Sequence, residues 1–437
     1  MEVEKSELTL GFIPLTDCAP LVIAHEKGYF RKEGLSVTLS RETSWAAVRD
    51  KIGLGILDGA QMIASMPVAS RLGVCGPKIN MVSAMVLDLN GNAITINNEL
   101  YERLYSIDPR SEFSPLIAAQ ALQCLVEENK RARRPKLRFG VVYPCSTQNY
   151  ELRYWLASAG IDPDRDIEIV VIPPPRMVSA MVDGDIHGFC VGEPWNTLAV
   201  QQQLGHVVAT KYQLWNNSPE KVFAVNESWA ERHPATHQAV LRALLRACAW
   251  LDKKENRRAA ARIISQAAYI ALPEDTVAMS LTGHSLKHND RPPESVSDFH
   301  VFHRYSANFP WLNHAEWFIS QMYRWGQLTT PINIEETVSS VFKPADYRIA
   351  AAAVGIESPS IDRKTEGNLH EKMMLPKSQQ LGPNQFLDGQ VITVGGILKY
   401  LEQQSLSRAD IKALRLINDA MNNRQTKAEV SDSGSEH

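Results

Sequence analysis

Apolar and polar residues alternate through Leu8-Thr-Leu-Gly-Phe-Ile, and the run ends at Pro14-Leu-Thr-Asp, so it reads as a strand that feeds a helix start. Residues 19–27 follow helical spacing, Gly28 and Gly34 punctuate, and Leu35-Ser-Val-Thr-Leu returns to the two-residue period. The scheme recurs 129 residues later. Leu137-Arg-Phe-Gly-Val-Val-Tyr-Pro is again a strand, Ser146 and Thr147 cap a helix, Gly160 breaks it, and 167–172 is the next strand. Gly11 and Gly140 share that offset, as do Gly59 and Gly188. Each of the latter two follows a predicted helix (45–57 or 176–182) and opens a short apolar strand that runs into Pro67 or Pro194. Two βαβαβ units of this kind imply an α/β chain of two lobes, each a mostly parallel sheet flanked by helices.

Residues 1–92 and 210–350 are assigned to lobe 1 and 93–209 to lobe 2. A C-terminal extension over 351–423 ends in an amphipathic helix that starts near 394, and the polar stretch 424–437 is expected to be a disordered tail. Helical patterns fill 235–254, 255–268 and 331–342, and 356–385 reads as an extended surface segment. The long apolar strand 79–89 delivers the chain to Asn90-Gly-Asn at one lobe crossing, and Glu220-Lys-Val-Phe-Ala-Val begins the strand after the other. Ligands of open α/β sheets sit at the carboxyl ends of strands, where Thr16-Asp17, Ser44-Trp45 and Ser146-Thr147 start helices and offer backbone N–H groups to an anion.

Composition narrows the chemistry. With 46 Lys+Arg against 49 Asp+Glu, 437 residues carry a net charge of −3, which gives no basic field for nucleic acid or anionic membrane. The run Lys130-Arg-Ala-Arg-Arg-Pro is read as a solvated face, with partner contact as the sharper alternative. No segment approaches the roughly 18 apolar residues of a membrane helix. Met1-Glu-Val-Glu-Lys-Ser-Glu lacks the pattern of a secretory signal, so a cytoplasmic location is expected. Six cysteines without CxxC spacing read as reduced, buried thiols, with no disulfide framework and no metal site.

Enzyme motifs are absent from the pattern. Gly53-Leu-Gly-Ile-Leu-Asp-Gly has the wrong spacing and position for a dinucleotide loop, and His25, His187 and His206 are scattered. No catalytic residue and no cofactor is expected. Asp17 and Glu193 fall on cleft-facing loops, where loop hydrogen bonds or an interlobe bond suit them better than acid/base work. Trp45 and Trp195 read as core residues that can also donate an indole N–H to an oxyanion. Lys221 is chosen as the counter-charge because sequence order places no other lysine near the return crossing.

Taken together, Gly11-Phe-Ile-Pro-Leu-Thr-Asp-Cys-Ala-Pro-Leu, Lys27-Gly-Tyr-Phe-Arg-Lys-Glu-Gly-Leu, Ser44-Trp-Ala-Ala-Val-Arg-Asp-Lys, Leu152-Arg-Tyr-Trp-Leu-Ala, Phe189-Cys-Val-Gly-Glu-Pro-Trp-Asn and Pro219-Glu-Lys-Val-Phe resemble the nitrate- and bicarbonate-binding proteins of bacterial ABC uptake systems. The resemblance implies a type 2 periplasmic-binding fold over residues 7–350 and, with the N-terminus read above, a chain similar to the cytoplasmic nitrate/nitrite sensor that pairs with an ANTAR-type RNA-binding antiterminator. It further implies anion contacts from Trp45, Asn92, Gln148 and Lys221, with Thr16, Asp17, Pro67, Thr147, Glu193 and Trp195 lining the cleft. Cys145-Ser-Thr-Gln-Asn stands where transporter members carry a histidine-containing motif. Nitrate and nitrite have no proton to give, so their site is expected to need donors and one cation, without an acidic acceptor. Glu193 would repel such an anion and is expected to turn away or bond to loop amides. The implied mechanism is lobe closure on the anion, the anion-free form holding the antiterminator. The alternatives are the solute receptor of a nitrate or bicarbonate transporter, and a pyrimidine-precursor enzyme on the same fold, disfavoured because no histidine stands at a cleft-forming helix start.

Overall fold

The computed structural model describes residues 2–368 and 381–416. Its two large sheets are built from β1 (Glu7–Phe12), β2 (Ser36–Arg41), β3 (Gly59–Ile63), β4 (Met81–Asn90), β5 (Asn92–Asn97), β6 (Arg138–Val141), β7 (Glu168–Val171), β8 (Gly188–Gly192), β9 (Gly205–Thr210), β10 (Pro219–Asn226) and β11 (His300–Val301). One sheet runs β11-β4-β10-β3-β1-β2 and the other β7-β6-β8-β5-β9.

The internal repeat appears as matched register. Gly11 faces Ala60 where β1 pairs with β3, and Gly140 faces Phe189 where β6 pairs with β8, so both partners shift by the same 129 positions. A Cβ at Gly11 would lie 2.6 Å from Leu57 Cδ1, and one at Gly140 2.7 Å from Met177 Sδ. Glycine at both sites lets the crossover segment press directly on the strand.

Strand direction follows the expected mostly parallel pattern in each lobe. β1, β2, β3 and β4 run one way in lobe 1 and β6, β7, β8 and β9 run one way in lobe 2, while β10 runs antiparallel to β3 and β4, β11 to β4, and β5 to β8 and β9. For β10 and β5 the cause is the double crossing between lobes, because a chain that leaves one sheet and re-enters it must run one strand against the others. The outward crossing turns at Asn90 and Gly91, with φ of 66° and 93°. A side chain at Gly91 would strike the His300 ring, 2.6 Å away. The return crossing passes from β9 into β10.

The helices that matter for the site are α1 (Ala19–Glu26), α2 (Trp45–Gly53), α3 (Met66–Leu72), α4 (Thr147–Ser158), α5 (Trp195–Gln201), α6 (Lys211–Leu214), α7 (Pro234–Leu251), α8 (Leu312–Arg324) and α9 (Ile397–Glu402). None of the described helices is long and apolar enough to cross a membrane. Leu21 and Val22 of α1 pack with Leu241 and Leu244 of α7 in the lobe 1 core, and Ile94, Phe139 and Trp155 centre the lobe 2 core. A third cluster spans the seam and joins Trp45, Tyr150, Trp215, Trp317 and Phe386.

The C-terminal part is woven into this seam. Helix α8 is buried at every residue, and Phe386 stacks on Trp215 with centroids 4.8 Å apart. The Leu387 amide donates to the Leu214 carbonyl (2.8 Å) and the Asn216 amide to the Gln385 carbonyl (3.1 Å), so the return crossing is gripped from outside. The stretch 356–385, expected on the surface, instead buries Lys364, Glu366 and Asn384. Glu366 is tolerated there because Lys364, His314, Asn313 and Asn384 surround its carboxylate. The tail expected over 424–437, and the last helix beyond 416, lie outside the described residues.

The cysteine reading also needs correction. Cys75 and Cys145 form a disulfide, Cα atoms 6.2 Å apart, across 70 residues of sequence. Cys18, Cys190 and Cys248 are free and buried, and Cys124 is free and exposed. The pair was invisible because its halves meet only when the two lobes come together.

Candidate functional site

Helix starts set the site. Ser44 Oγ accepts the Ala47 amide at 3.2 Å, which makes Trp45 the first, fully buried residue of α2. Ser146 Oγ accepts the Asn149 amide at 3.0 Å and places Gln148 in the first turn of α4, where Thr147 Oγ1 donates to Gln148 Oε1 at 3.1 Å. Asp17 caps no helix. Its Oδ1 accepts from Gln61 Nε2, and its Oδ2 lies 2.8 Å from Lys221 Nζ.

Adjacent strand residues normally face opposite sides. At the start of β10 the register is irregular: Pro219 faces Leu89, Lys221 faces Asp88 and Val222 faces Val86. This bulge lets Glu220 and Lys221 act together. Glu220 Oε1 accepts from Lys221 Nζ (2.7 Å) and from Gln148 Nε2 (2.7 Å), and its Oε2 accepts from Lys211 Nζ at 2.5 Å. Lys211 also pairs with Glu151 at 2.8 Å; Glu151 Oε2 accepts from Asn92 Nδ2 at 3.0 Å, and Asn92 Oδ1 accepts from Gln148 Nε2 at 3.1 Å. The result is a closed polar ring of Asn92, Gln148, Glu220, Lys211 and Glu151 across the seam, with Lys221, Asp17 and Gln61 attached on the lobe 1 side. Lys221 Nζ also lies 5.5 Å from the centre of the Trp45 ring.

The four residues expected to touch an anion are thus linked by direct contacts: Trp45 to Lys221, Lys221 through Glu220 to Gln148, and Gln148 to Asn92. Two expectations fail. Lys221 is not alone, because Lys211 is equally buried beside it, and the cation is not free of acids, because Asp17 and Glu220 hold it. An ammonium with no solvent contact requires such partners.

The charges are unequal in character. Burial drives Asp17 up to about 7 against the pull of Lys221, with nearby Asp88 adding to the rise. Asp88 also reaches about 7 through burial, relieved by Lys221. Its Oδ1 accepts the Lys221 amide at 3.1 Å, and its Oδ2 lies 3.3 Å from His300 Nδ1. Burial acts on Glu220 too, but Lys211 and Lys221 outweigh it and hold that carboxyl below the ordinary range. Both lysines are held above their ordinary values: burial opposes this, and their carboxylate partners prevail.

Glu193 turns its carboxylate to the first turn of α5. Its Oε2 accepts the Thr197 amide (3.0 Å), its carbonyl accepts the Thr16 amide (2.8 Å), and burial raises its carboxyl to about 7. Trp195 opens α5 and is buried. Pro67 is buried in the first turn of α3, and none of the ring's polar contacts reaches it. Three buried donors at these helix starts have no hydrogen-bond acceptor: Thr16 Oγ1, Trp45 Nε1 and Trp195 Nε1. Buried donors are rarely left so, and each of these can give a hydrogen bond to an acceptor that enters beside it. Among the described residues no cluster of three or more His, Cys, Asp and Glu forms a metal site.

Sequence reasoning missed Gln61, Asp88, Glu151, Lys211 and Glu220. Gln61, Asp88 and Glu220 are polar residues within apolar strands, a pattern that signals a buried group in need of a partner. Lys211 directly follows such a strand, and Glu151 lies one turn past Gln148.

The family model described as NMT1-like family matches residues 1–265. The nitrate import ATP-binding protein NrtC of Synechocystis sp. is 38% identical over 419 residues, 95% of this chain and 58% of that protein. This chain therefore spans little more than half the length of that relative. The nitrate/nitrite binding protein NrtA of Nostoc sp. is 32% identical over 393 residues, 89% of this chain and 83% of that one. The crystal structure of the periplasmic nitrate-binding protein NrtA from Synechocystis superposes with a TM-score of 0.79 at 28% identity, covering 93% of this chain and all of that one. These relatives bear out the two-lobed periplasmic-binding fold and place the chain among binding proteins, not enzymes. The chain belongs to the NMT1-like family and, within it, to the nitrate- and bicarbonate-binding proteins of ABC uptake systems.

Proposed function

We propose that this chain is a cytoplasmic nitrate/nitrite sensor: it binds the anion between its lobes, and closure on the anion releases an ANTAR-type antiterminator that the anion-free form holds. The observation that carries the anion reading is the fully buried Lys221 ammonium beside Trp45, whose indole N–H has no acceptor. A planar monoanion can accept from both, and from the Gln148 amide once Glu220 yields it. Binding is proton-linked in this scheme: the anion takes the place of Asp17 on Lys221, and Asp17, already near 7, takes up a proton and becomes a donor. The ring supplies the signal, because Gln148 of lobe 2 and Lys211 of the return crossing, which packs on the lobe 2 strand β9, both hold Glu220 of lobe 1. An anion shifts a partner's binding only if the partner prefers one lobe arrangement.

The alternative reading, the solute-binding component of a nitrate or bicarbonate transporter, is supported by the nitrate-binding and nitrate-import relatives. Isothermal calorimetry with nitrate, nitrite, bicarbonate and chloride tests the site. Saturable nitrate or nitrite binding that is lost in Lys221→Ala is expected, and unchanged affinity removes Lys221 from the reading. Mixing the chain with the antiterminator separates the two roles: a complex dissolved by millimolar nitrate supports the sensor, and a complex indifferent to both anions, or none at all, leaves the transport role.

A further inference from the structure

The two lobes are joined covalently at a point that none of the anion chemistry uses. Cys75 follows α3 in lobe 1, Cys145 immediately precedes the Ser146 cap of α4 in lobe 2, and the two are bonded. Around the bond, Tyr143 OH donates to the Cys75 carbonyl at 2.8 Å, and Arg49 Nη1 donates to the same carbonyl (3.1 Å) and to Tyr143 OH (2.7 Å). Ser65 Oγ, just ahead of α3, donates to the Cys145 carbonyl at 2.5 Å. Behind Cys145, Gln327 Nε2 donates to the Pro144 carbonyl at 2.7 Å while Gln327 Oε1 accepts from Tyr150 OH at 2.8 Å. The disulfide thus sits within a docked surface, and its lobe 2 half is three residues from Gln148, whose amide reaches Glu220.

We propose that Cys75 and Cys145 are a redox-addressed pair whose disulfide latches the lobes closed and whose reduction frees them to open. Without the bond, the seam is held by hydrogen bonds and packing that can exchange with water. With it, the two surfaces remain at high effective concentration whatever occupies the cleft. Access favours this chemistry. Cys145 is buried, but Cys75 is only half-buried and is followed by exposed Gly76-Pro77-Lys78. An external thiolate, such as a dithiol reductant, attacks Cys75 Sγ and expels Cys145 as a thiolate that then takes a proton. The reductant's second thiol resolves the mixed disulfide, so two electrons pass to the protein and the reductant leaves as its own disulfide. Oxidised glutathione or another small disulfide reverses the exchange. The inference does not depend on which anion the cleft takes.

The test uses the full chain without anion, after equilibration in oxidised glutathione or in dithiothreitol. Peptide mapping reads the Cys75–Cys145 link, and amide hydrogen exchange reads residues 145–152 and 219–222, with α7 as the reference. The expected result is a linked peptide pair in the oxidised sample and at least tenfold slower exchange at both cleft segments than after reduction, with α7 unchanged. Cys75→Ser should exchange at the reduced rate in both buffers. The proposal is overturned if no link forms, if the linked chain exchanges like the reduced one, or if Cys75→Ser still responds to oxidant. A chain that fails to bind nitrate yet shows the protection difference overturns the anion reading alone.

Discussion

Lobe 1 and lobe 2 share a scaffold down to the register of single residues, yet they bring opposite chemistry to their common face. By the 129-residue offset, Asp17 corresponds to Ser146 and Gln61 to Cys190. Lobe 1 spends its first loop on a carboxylate that faces Lys221. Lobe 2 spends the same position on a helix cap, and the amides of Gln148 and Asn92 do the contacting. Duplication therefore accounts for the frame, and the asymmetry at the strand ends accounts for the site. Lobe 1 carries the charge that attracts an anion, and lobe 2 carries the donors that register closure.

Removing the charged side of this comparison has the largest expected effect. Lys221→Ala leaves Glu220 paired only with Lys211 and leaves Asp17 without a cation. Truncating one member of a buried ion pair typically costs about 3–5 kcal/mol. Chemical denaturation should show a loss of that order, and calorimetry should show nitrate affinity reduced by about one to two orders of magnitude, given about 1.5–3 kcal/mol for a charge-assisted bond. A variant that folds with native stability and binds normally would place the anion elsewhere.

The shared frame is tested next. Gly11→Ala and Gly140→Ala each press a methyl group against a neighbouring side chain, Leu57 or Met177, at matched positions. Each should destabilise by about 1–3 kcal/mol, the usual range for overpacking. Similar losses in the two lobes support structural equivalence, whereas a loss confined to one would mean that the repeat does not extend to packing.

That frame was the part legible in the sequence. Two-residue alternation, paired glycines and Ser caps are local signals, and they return in β1, β6, α2 and α4, although α2 ends at Gly53 and not at 57. Lys221 is legible from chain order and Trp45 from its helix start, whereas joining them with Asn92 and Gln148 in one site takes the motif resemblance, since α2, β5, α4 and β10 are far apart in the chain. What stayed hidden depends on tertiary context. Glu220 joins Lys221 only because β10 bulges, Lys211 enters the ring only because the return crossing folds under the seam, and Cys75 meets Cys145 only across it. The surface reading of 356–385 missed the burial of Lys364, Glu366 and Asn384, because composition does not report that Glu366 has His314 and Lys364 as partners in the core.

The acid on the lobe 1 side predicts a pH dependence. Asp17, Asp88 and Glu193 have folded-state values near 7, above their unfolded values. The folded chain therefore holds protons that the unfolded chain has released, and stability falls as pH rises from about 4 to 7. For binding, an anion that displaces Asp17 raises its proton affinity further. Affinity for nitrate should be level below pH 7 and weaken by up to about tenfold per unit above it, the limit for uptake of one proton. Calorimetry between pH 6 and 8 checks this: Asp17→Asn should flatten the profile, and a flat wild-type profile would break the link between Asp17 and the anion.

The smallest effect separates the two lobes' donors. Trp45→Phe keeps most of the buried ring near Lys221 and deletes only an indole N–H that has no protein acceptor. Stability should therefore change little, while the loss of a donor used only by the anion should weaken nitrate binding by about 1 kcal/mol, roughly fivefold. Gln148→Ala deletes a lobe 2 amide that is already bonded to Glu220 and Asn92, so it should cost stability as well as affinity, each by about 1–2 kcal/mol. The diagnostic is the contrast between an affinity loss without a stability loss at Trp45 and a coupled loss at Gln148. If Trp45→Phe lowers stability and leaves affinity intact, the indole belongs to the seam's packing, and the lobe 1 contribution to the anion reduces to Lys221.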